Sequence, residues 1–270
     1  MKTVNSLSGG KTSSYIAANY PADANVFSLV RTDDKDCMFS DKKVRQIVSD
    51  KLGKEFIGTL EQDTIIYTML DLEQYIGQKI IKRGDKVYLP NKVQRFCTIE
   101  MKIKPIFYWW ANKFNQEVVE MRIGFRANEQ KRAKNMLNRC IDGIEHMKGT
   151  WEKSKNGRNK WETIPYRVPT FPLINDGIFK DNIEQYWQDK SVRFAYANNC
   201  VGCFHRNTIM LKHMSNKAPK QFDWFIKQEE NNNNARFKTE VTYKQIKNSF
   251  NQFQLFDDDF TDCDSGYCGL

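Results

Sequence analysis

The chain has 270 residues, of which 40% are hydrophobic and 28% are charged. This composition is polar but within the globular range, and the length allows one large domain or one domain with an added lobe. No stretch approaches the roughly 18 apolar residues of a membrane span, and Met1 leads into a strand-like segment without a signal peptide. We therefore predict a cytoplasmic protein with no membrane partner.

The formal net charge is +9, and the chain carries seven cysteines. A basic excess attracts polyanions such as nucleotide phosphates or nucleic acid, but it is as common as a charge that only keeps a protein in solution. Because the cytosol keeps thiols reduced, structural disulfides are not expected. The cysteines indicate metal, cluster or redox chemistry, with scattered buried thiols as the alternative.

Strands and helices alternate through the first half of the chain. A strand is predicted at 3–7 and a helix at 12–20, which ends before Pro21. A strand at 25–30, a helix at 41–52, a short strand at 55–58 and a helix at 63–76 follow. Such alternation is typical of an α/β fold in which helices cover both faces of a twisted parallel sheet.

Further along, Thr98 is predicted to cap a short helix and Pro105 to begin the next one. A strand at 117–123 and a basic helix at 126–140 continue the alternation, and the basic segment 153–160 predicts a hairpin or loop. The last predicted helices are at 178–188, 219–230 and 238–250. We therefore predict an α/β domain over 1–175 and a mostly helical, cysteine-bearing lobe over 176–270.

The segment after the first strand has the composition of a phosphate-binding loop, Ser8-Gly9-Gly10-Lys11-Thr12-Ser13. Two glycines let the backbone approach an anion, and the amides at the start of the next helix point at its oxygens. Hydroxyl and ammonium groups of this segment add further donors. The loop is too short for the Walker pattern, and the alternative is an ordinary strand–turn–helix corner.

Ser8 to Ser13 resembles the SGGxxS signature of the PP-loop superfamily, which includes the N-type ATP pyrophosphatases and the phosphoadenosine phosphosulfate (PAPS) reductases. Thr12 stands where most ATP-cleaving members have Asp, which favours the PAPS-reductase-like branch with its phage and mobile-element members. Three further blocks are similar to that branch: 95–98 with Lys102 and Lys104, 123–129 with Arg132, and 199–204. The resemblance covers about three quarters of the chain and implies an adenine nucleotide alpha hydrolase-like fold.

Basic residues in these blocks are candidates for the nucleotide's charged groups. Arg126 follows the strand at 117–123, at the carboxyl end where open α/β sheets bind ligands, and arginine suits bidentate contacts with phosphate. We predict Arg126 as a clamp with a catalytic role and Arg132 as a second contact, with a solvated surface charge as the alternative for each basic residue. Glu129 would orient one of the two arginines or only pair on the helix surface. Arg95 and Lys102 would meet phosphate or sulfonate oxygens, and Lys102 is a second catalytic candidate.

Cys200 and Cys203 form the pair most like a metal site, because a two-residue spacer lets both thiolates reach one ion or cluster. A redox dithiol or two buried thiols are the alternatives. The candidates for the remaining ligands are Cys97, Cys263, Cys268, Cys140 and His205. We favour Cys97, Cys200, Cys203 and Cys263. Analogy with related sulfur-handling enzymes implies a [4Fe–4S] cluster, with zinc as the alternative.

The last residues, 267–270, are similar to the E-C-G-L segment of the assimilatory PAPS reductases, whose cysteine attacks the sulfonate sulfur. The resemblance implies that Cys268 is a nucleophile whose S-sulfonate a thiol such as thioredoxin releases.

Two functions of different kinds remain open. The first is an enzyme that binds ATP, with magnesium, or PAPS, and carries out sulfonucleotide reduction or adenylation-linked sulfur transfer to an acceptor such as a base or DNA. The second is a non-catalytic nucleotide-binding protein whose zinc-stabilised basic lobe holds nucleic acid or a protein partner.

Overall fold

The computed structural model describes residues 1–83, 96–231 and 236–249. Its strands are β1 Thr3–Leu7, β2 Ala24–Ser28, β3 Arg31–Thr32, β4 Gly58–Thr59, β5 Ile80–Arg83, β6 Val119–Arg122, β7 Glu145–Lys153 and β8 Asn159–Thr170. Six of them form the main sheet in the order β5-β2-β1-β6-β8-β7. Five strands run parallel, and β7 pairs antiparallel with β8 at one edge. The predicted α/β class with a mostly parallel sheet is confirmed.

The helices lie between and around the strands. They are α1 Lys11–Asn19, α2 Lys42–Leu52, α3 Thr64–Ile76, α4 Phe96–Thr98, α5 Lys104–Lys113, α6 Gln130–Leu137, α7 Pro172–Asn175, α8 Lys180–Trp187, α9 Thr208–Lys217, α10 Pro219–Asn231 and α11 Tyr243–Asn248. Local sequence explains several ends. Asp41 caps α2 by accepting from the amides of Lys43 and Val44 at 2.9 and 3.1 Å, and Gly53 ends it with φ 68°.

Alternate residues of the central strands enter two different cores. Leu7 and Phe27 pack with α1 and α3, whereas Val4 and Val26 pack with α5. Because neighbouring side chains of a strand point to opposite faces, helices cover both faces of the sheet here. The aromatic run 108–110 belongs to the second core, where Trp110 is fully buried.

The chain changes direction across the sheet at β1. From β1 it moves to β2 and then β5 on one side, and it returns to β6 on the other side. The carboxyl ends of β1 and β6 therefore flank a topological switch point, which is where open α/β sheets bind ligands. The segments that follow these two strands are 8–13 and 123–126.

Several predicted elements differ from the structure. The short strand near 55–58 is β4, which pairs antiparallel with β3 in a separate two-stranded sheet. Three strands of the main sheet, β5, β7 and β8, were not predicted as strands, and the sequence predicted only a hairpin or loop over 153–160. The outer half of β8 is exposed and polar, so it lacks the apolar alternation of a buried strand. The predicted helix at 126–140 is shorter, since a 3₁₀ turn, Ala127–Glu129, precedes α6.

The prediction that Thr98 caps a helix is wrong. Thr98 itself has helical dihedral angles, φ −62° and ψ −45°, and its side chain forms no cap hydrogen bond. The helical backbone begins at α4 and continues through a π-helical turn, Ile99–Ile103, into α5. Short π-helical turns occur frequently at functional sites. Pro105 lies in the first turn of α5, as predicted.

The cysteine-bearing part packs around α9, α10 and α11, and its core also takes in Val30, Leu60 and Met101 from the first half of the chain. By contrast, α8 packs into the core of α1 and α3 through Ile183 and Trp187. The domain boundary at residue 175 stays a prediction. Among the described helices, none combines the length and apolar character needed to cross a bilayer.

Candidate functional site

The bend between β1 and α1 depends on two adjacent glycines for different reasons. Gly9 has φ +83°, a conformation that residues with a side chain rarely adopt, and a Cβ there would lie 3.0 Å from the Ile65 side chain. Gly10 has ordinary dihedral angles, but a Cβ on it would lie only 1.9 Å from Nδ2 of Asn198. The first glycine permits the turn, and the second permits close packing against residue 198.

Ser13 closes this loop from inside. Its hydroxyl accepts from the Ser8 amide at 3.0 Å, donates to the Gly10 carbonyl at 3.2 Å and lies 3.1 Å from the Ser8 hydroxyl. In the described part of the chain, no side chain caps α1, and its first turn has no acidic residue. The amides at the start of α1, with the positive end of the helix dipole, are therefore the groups that suit an anion.

Lys11 and Thr12 differ in their surroundings. The Lys11 ammonium forms an ion pair with Glu184, and its carbonyl accepts from the Trp187 indole at 3.1 Å. These contacts tie the predicted phosphate ligand to α8. Thr12 is buried, and its methyl group lies 3.4 Å from the Cβ position of Gly124. The segments that follow β1 and β6 thus touch each other directly.

Arg126 lies two residues after Gly124 in the chain. It is 6% exposed, and it forms an ion pair with Glu129. One Glu129 oxygen accepts from the Arg126 amide at 2.9 Å and from its Nε at 3.1 Å, and the other pairs with Arg132. Arg132 also lies over the Phe125 ring, 4.6 Å from its centroid. The Glu129 carboxylate therefore contacts both arginines, whereas the sequence predicted that it would orient one of them.

A cavity of about 30 Å³ opens at the carboxyl ends of β1, β2 and β6. Its walls include the glycine-bend residue Ser8, Gly124, and Lys102 from the π-helical turn. The cavity joins three of the four sequence blocks that carry the PP-loop resemblance. Arg95, from the second block, lies outside the described residues.

A buried carboxylate beside Lys102 was not predicted from the sequence. Glu61 is fully buried, and its Oε1 lies 3.8 Å from Lys102 Nζ, which also donates to Asn199. Burial raises the pKa of Glu61, and the nearby Lys102 ammonium lowers it in part. No signal in the sequence marks Glu61, because a lone glutamate after a two-residue strand has no motif.

Three of the predicted metal ligands line one cavity of about 40 Å³: Cys97, Cys200 and Cys203. Lys102 and His205 also line it. Burial raises the pKa of the Cys97 thiol, and it raises that of Cys200 well above its usual value. Both thiols therefore favour the protonated form in the absence of a cation.

The donor chemistry of this cavity suits zinc or an iron–sulfur cluster, since thiolate is a soft ligand. Among the described residues, however, no group of three or more His, Cys, Asp or Glu has the spacing of a metal site. Cys263 and Cys268 lie outside the described residues. Cys140, which follows α6, donates to the Met136 carbonyl at 3.6 Å and does not line the cavity.

Gly10→Ala should destabilise the protein by about 1–3 kcal/mol, because the new methyl group overlaps the Asn198 amide. Asn198→Ala in the same chain should restore most of that loss. Gly9→Ala is the matched control, since its positive φ carries a backbone cost that Asn198→Ala cannot relieve. Urea unfolding of the four variants measures this, and equal rescue of both glycine variants would contradict the assignment.

Searches against models of protein families, curated proteins and solved structures found no match to this chain. The class that the structure defines is an α/β protein with a glycine bend and an uncapped helix at the switch point of a mostly parallel sheet.

Proposed function

We propose that this protein is a PP-loop enzyme that binds an adenine nucleotide, ATP or PAPS, across the carboxyl ends of β1 and β6. The observation that carries the proposal is the Gly9-Gly10 bend, which presents the uncapped start of α1 at the switch point. Anion binding at such a helix start follows from its free amides and dipole. In this proposal Arg126, which Glu129 orients, contributes a positive charge to the same phosphates.

The roles of two loop residues are revised in this proposal. The Ser13 hydroxyl holds the loop closed, and the Ser13 amide is one of the groups that would bind phosphate. The Lys11 ammonium pairs with Glu184 and so holds α8 against α1. Phosphate recognition then depends mainly on the backbone amides at the start of α1, where Asn198 packs against Gly10. The oxygen that faces the small cavity would meet Lys102.

Two reactions fit this site, and their products differ. With PAPS, a thiolate such as that of Cys268 forms a bond to the sulfonate sulfur, the sulfur–oxygen bond breaks, and adenosine 3′,5′-bisphosphate leaves. A dithiol reductant then attacks the S-sulfonate, releases sulfite and becomes a disulfide. With ATP, the acceptor is adenylated and pyrophosphate leaves.

Product analysis after incubation with each nucleotide, magnesium and a thiol tests the proposal. We expect adenosine 3′,5′-bisphosphate and sulfite from PAPS, or AMP and pyrophosphate from ATP once an acceptor is present. Cys268→Ser should abolish only the first reaction. If both nucleotides bind but neither is consumed, the non-catalytic alternative replaces the enzyme.

The cavity lined by Cys97, Cys200 and Cys203 leads to a separate prediction about metal content. We expect anaerobically purified protein to hold about four irons per chain, and Cys97→Ser, Cys200→Ser or Cys203→Ser to lose most of them. Cys140→Ser is the matched control, since this thiol does not line the cavity. Metal analysis and an absorption spectrum measure this. Stoichiometric zinc would favour the binding protein, and metal-free wild-type protein would contradict the site.

A further inference from the structure

A second and larger groove lies on the other side of the π-helical turn from the cavity at the glycine bend. It encloses about 620 Å³ between that turn and the β7–β8 hairpin. Its apolar walls are Ile99, Ile103, Met147 and Trp161. Ile103 lines both this groove and the cavity at the glycine bend. We call the larger of these two spaces the hairpin groove.

The apolar wall of the hairpin groove is unusually open to solvent. Trp161 is 53% exposed and Ile99 is 42% exposed. The Lys104 ammonium lies 5.8 Å from the centroid of the Trp161 ring. Clustered exposed aromatic and aliphatic groups in a monomer indicate a binding surface, and Trp offers a flat face on which a ring can stack.

The charged groups of the groove leave a positive excess. Its one acid, Glu145, is already paired with the buried Arg167 at 2.6 Å. Lys104 is paired with Glu100. Arg139 and Lys148, in contrast, form no ion pair with any residue in the described ranges. The groove therefore presents two uncompensated cations beside its apolar wall.

The same excess continues to the tip of the hairpin. Lys153, Lys155 and Arg158 are all exposed there, and none has an ion-pair partner within the described part of the chain. Lys160, one residue before Trp161, is instead paired with Glu152 and Glu162. Cations without an ion pair among the described residues therefore lie both at the hairpin tip and in the groove that holds Trp161.

We propose that the hairpin groove and the hairpin tip bind single-stranded nucleic acid, with phosphates on the free cations and an unstacked base against Trp161. Cationic tracks that alternate with aromatic faces are the chemistry of single-strand binding. A duplex keeps its bases stacked, so it could use the cations but not the apolar wall. A peptide of acidic residues alone, such as polyglutamate, would match the charge but has no flat ring to fill the groove.

The position of the groove adds a functional reading, which rests on the proposed function. A base in the groove would lie across one π-helical turn from the bound nucleotide, because Ile103 faces both spaces. The nucleic acid would then be the acceptor of the adenylyl group of ATP, and pyrophosphate would leave. Binding itself needs no nucleotide and can be measured without one.

Fluorescence anisotropy of a labelled single-stranded oligonucleotide of about 16 nucleotides tests the surface. Trp161→Ala should weaken binding about 10-fold, whereas Phe179→Ala, which also removes an exposed aromatic, should not. Arg139→Ala/Lys148→Ala should weaken binding and lower the slope of log affinity against log salt concentration by about 1.4. The charge-matched control is Lys42→Ala/Lys43→Ala on α2, where both lysines are exposed.

Arg126→Ala should keep full oligonucleotide affinity, so that loss of the nucleotide site is separable from loss of the groove. Thermal melts establish that each variant folds. Three results would overturn the proposal: equal weakening by the two charge-matched double variants, tighter binding of a duplex than of its single strands, or equally effective competition by polyglutamate.

Discussion

Replacing Arg126 with alanine should weaken nucleotide binding about 100-fold, which corresponds to about 2.8 kcal/mol. Arg126 is 6% exposed, and its guanidinium is held by Glu129 at 3.1 Å. A pre-oriented, poorly hydrated cation loses little entropy or solvation when it meets a phosphate. Arg126→Lys should recover only part of the loss, because an ammonium cannot bond two oxygens in one plane. Isothermal titration with ATP and with PAPS measures the effect.

The matched control is Arg193→Ala. That side chain is 58% exposed and bonded to Asp71, so its loss should leave nucleotide affinity unchanged. The nucleotide affinity of Glu129→Gln should lie between those of Arg126→Ala and Arg193→Ala, since this change weakens the contacts of Arg126 and Arg132 without removing either arginine. Wild-type affinity in Arg126→Ala, or equal losses in both alanine variants, would show that the loop after β6 does not face the nucleotide.

Replacing Lys102 with methionine should cost about 3 kcal/mol of stability near pH 8, because the buried Glu61 carboxylate loses the cation paired with it. Adding Glu61→Gln should restore most of the loss. Lys104→Met is the control on the same segment; its ion pair with Glu100 is partly exposed, and its loss should cost no more than about 1 kcal/mol. Urea unfolding measures all four chains.

The pH dependence of this variant has a defined sign. Burial already raises the pKa of Glu61 in the folded protein, and removal of Lys102 takes away the first of the groups that lower it. A carboxyl whose folded pKa exceeds its unfolded pKa, about 4.3 for Glu, loses stability as the pH rises through the folded value. The deficit of Lys102→Met should therefore shrink toward about pH 4. A deficit that is the same at all pH values would contradict the buried pair.

The sequence predicted the sheet and the candidate site to different extents. Elements with strong periodicity and clear caps were predicted closely, and α2, between Asp41 and Gly53, is an example. The strand β8 was missed because its outer half is exposed and its inner half carries Pro165 and Pro169. The registers that bring β5 and β8 into the sheet depend on pairing between distant segments, which local sequence does not encode.

At the site, motifs located the glycine bend, the Arg126 loop and the three cysteines of one cavity. They did not reveal what the side chains contact. The partner of Lys11 is Glu184, 173 residues away, and the partner of Lys102 is Glu61. Such pairs follow from tertiary packing alone. Arg95, Cys263 and Cys268 stay predictions, since they lie outside the described residues.

A crystal structure of the protein with a bound adenine nucleotide tests the central claim most directly. We predict phosphate oxygens within about 3 Å of the amide nitrogens at the start of α1, with the Arg126 guanidinium on the same phosphates. Phosphates bound at any other edge of the sheet, with no phosphate oxygen in contact with the amides at the start of α1, would contradict the assignment.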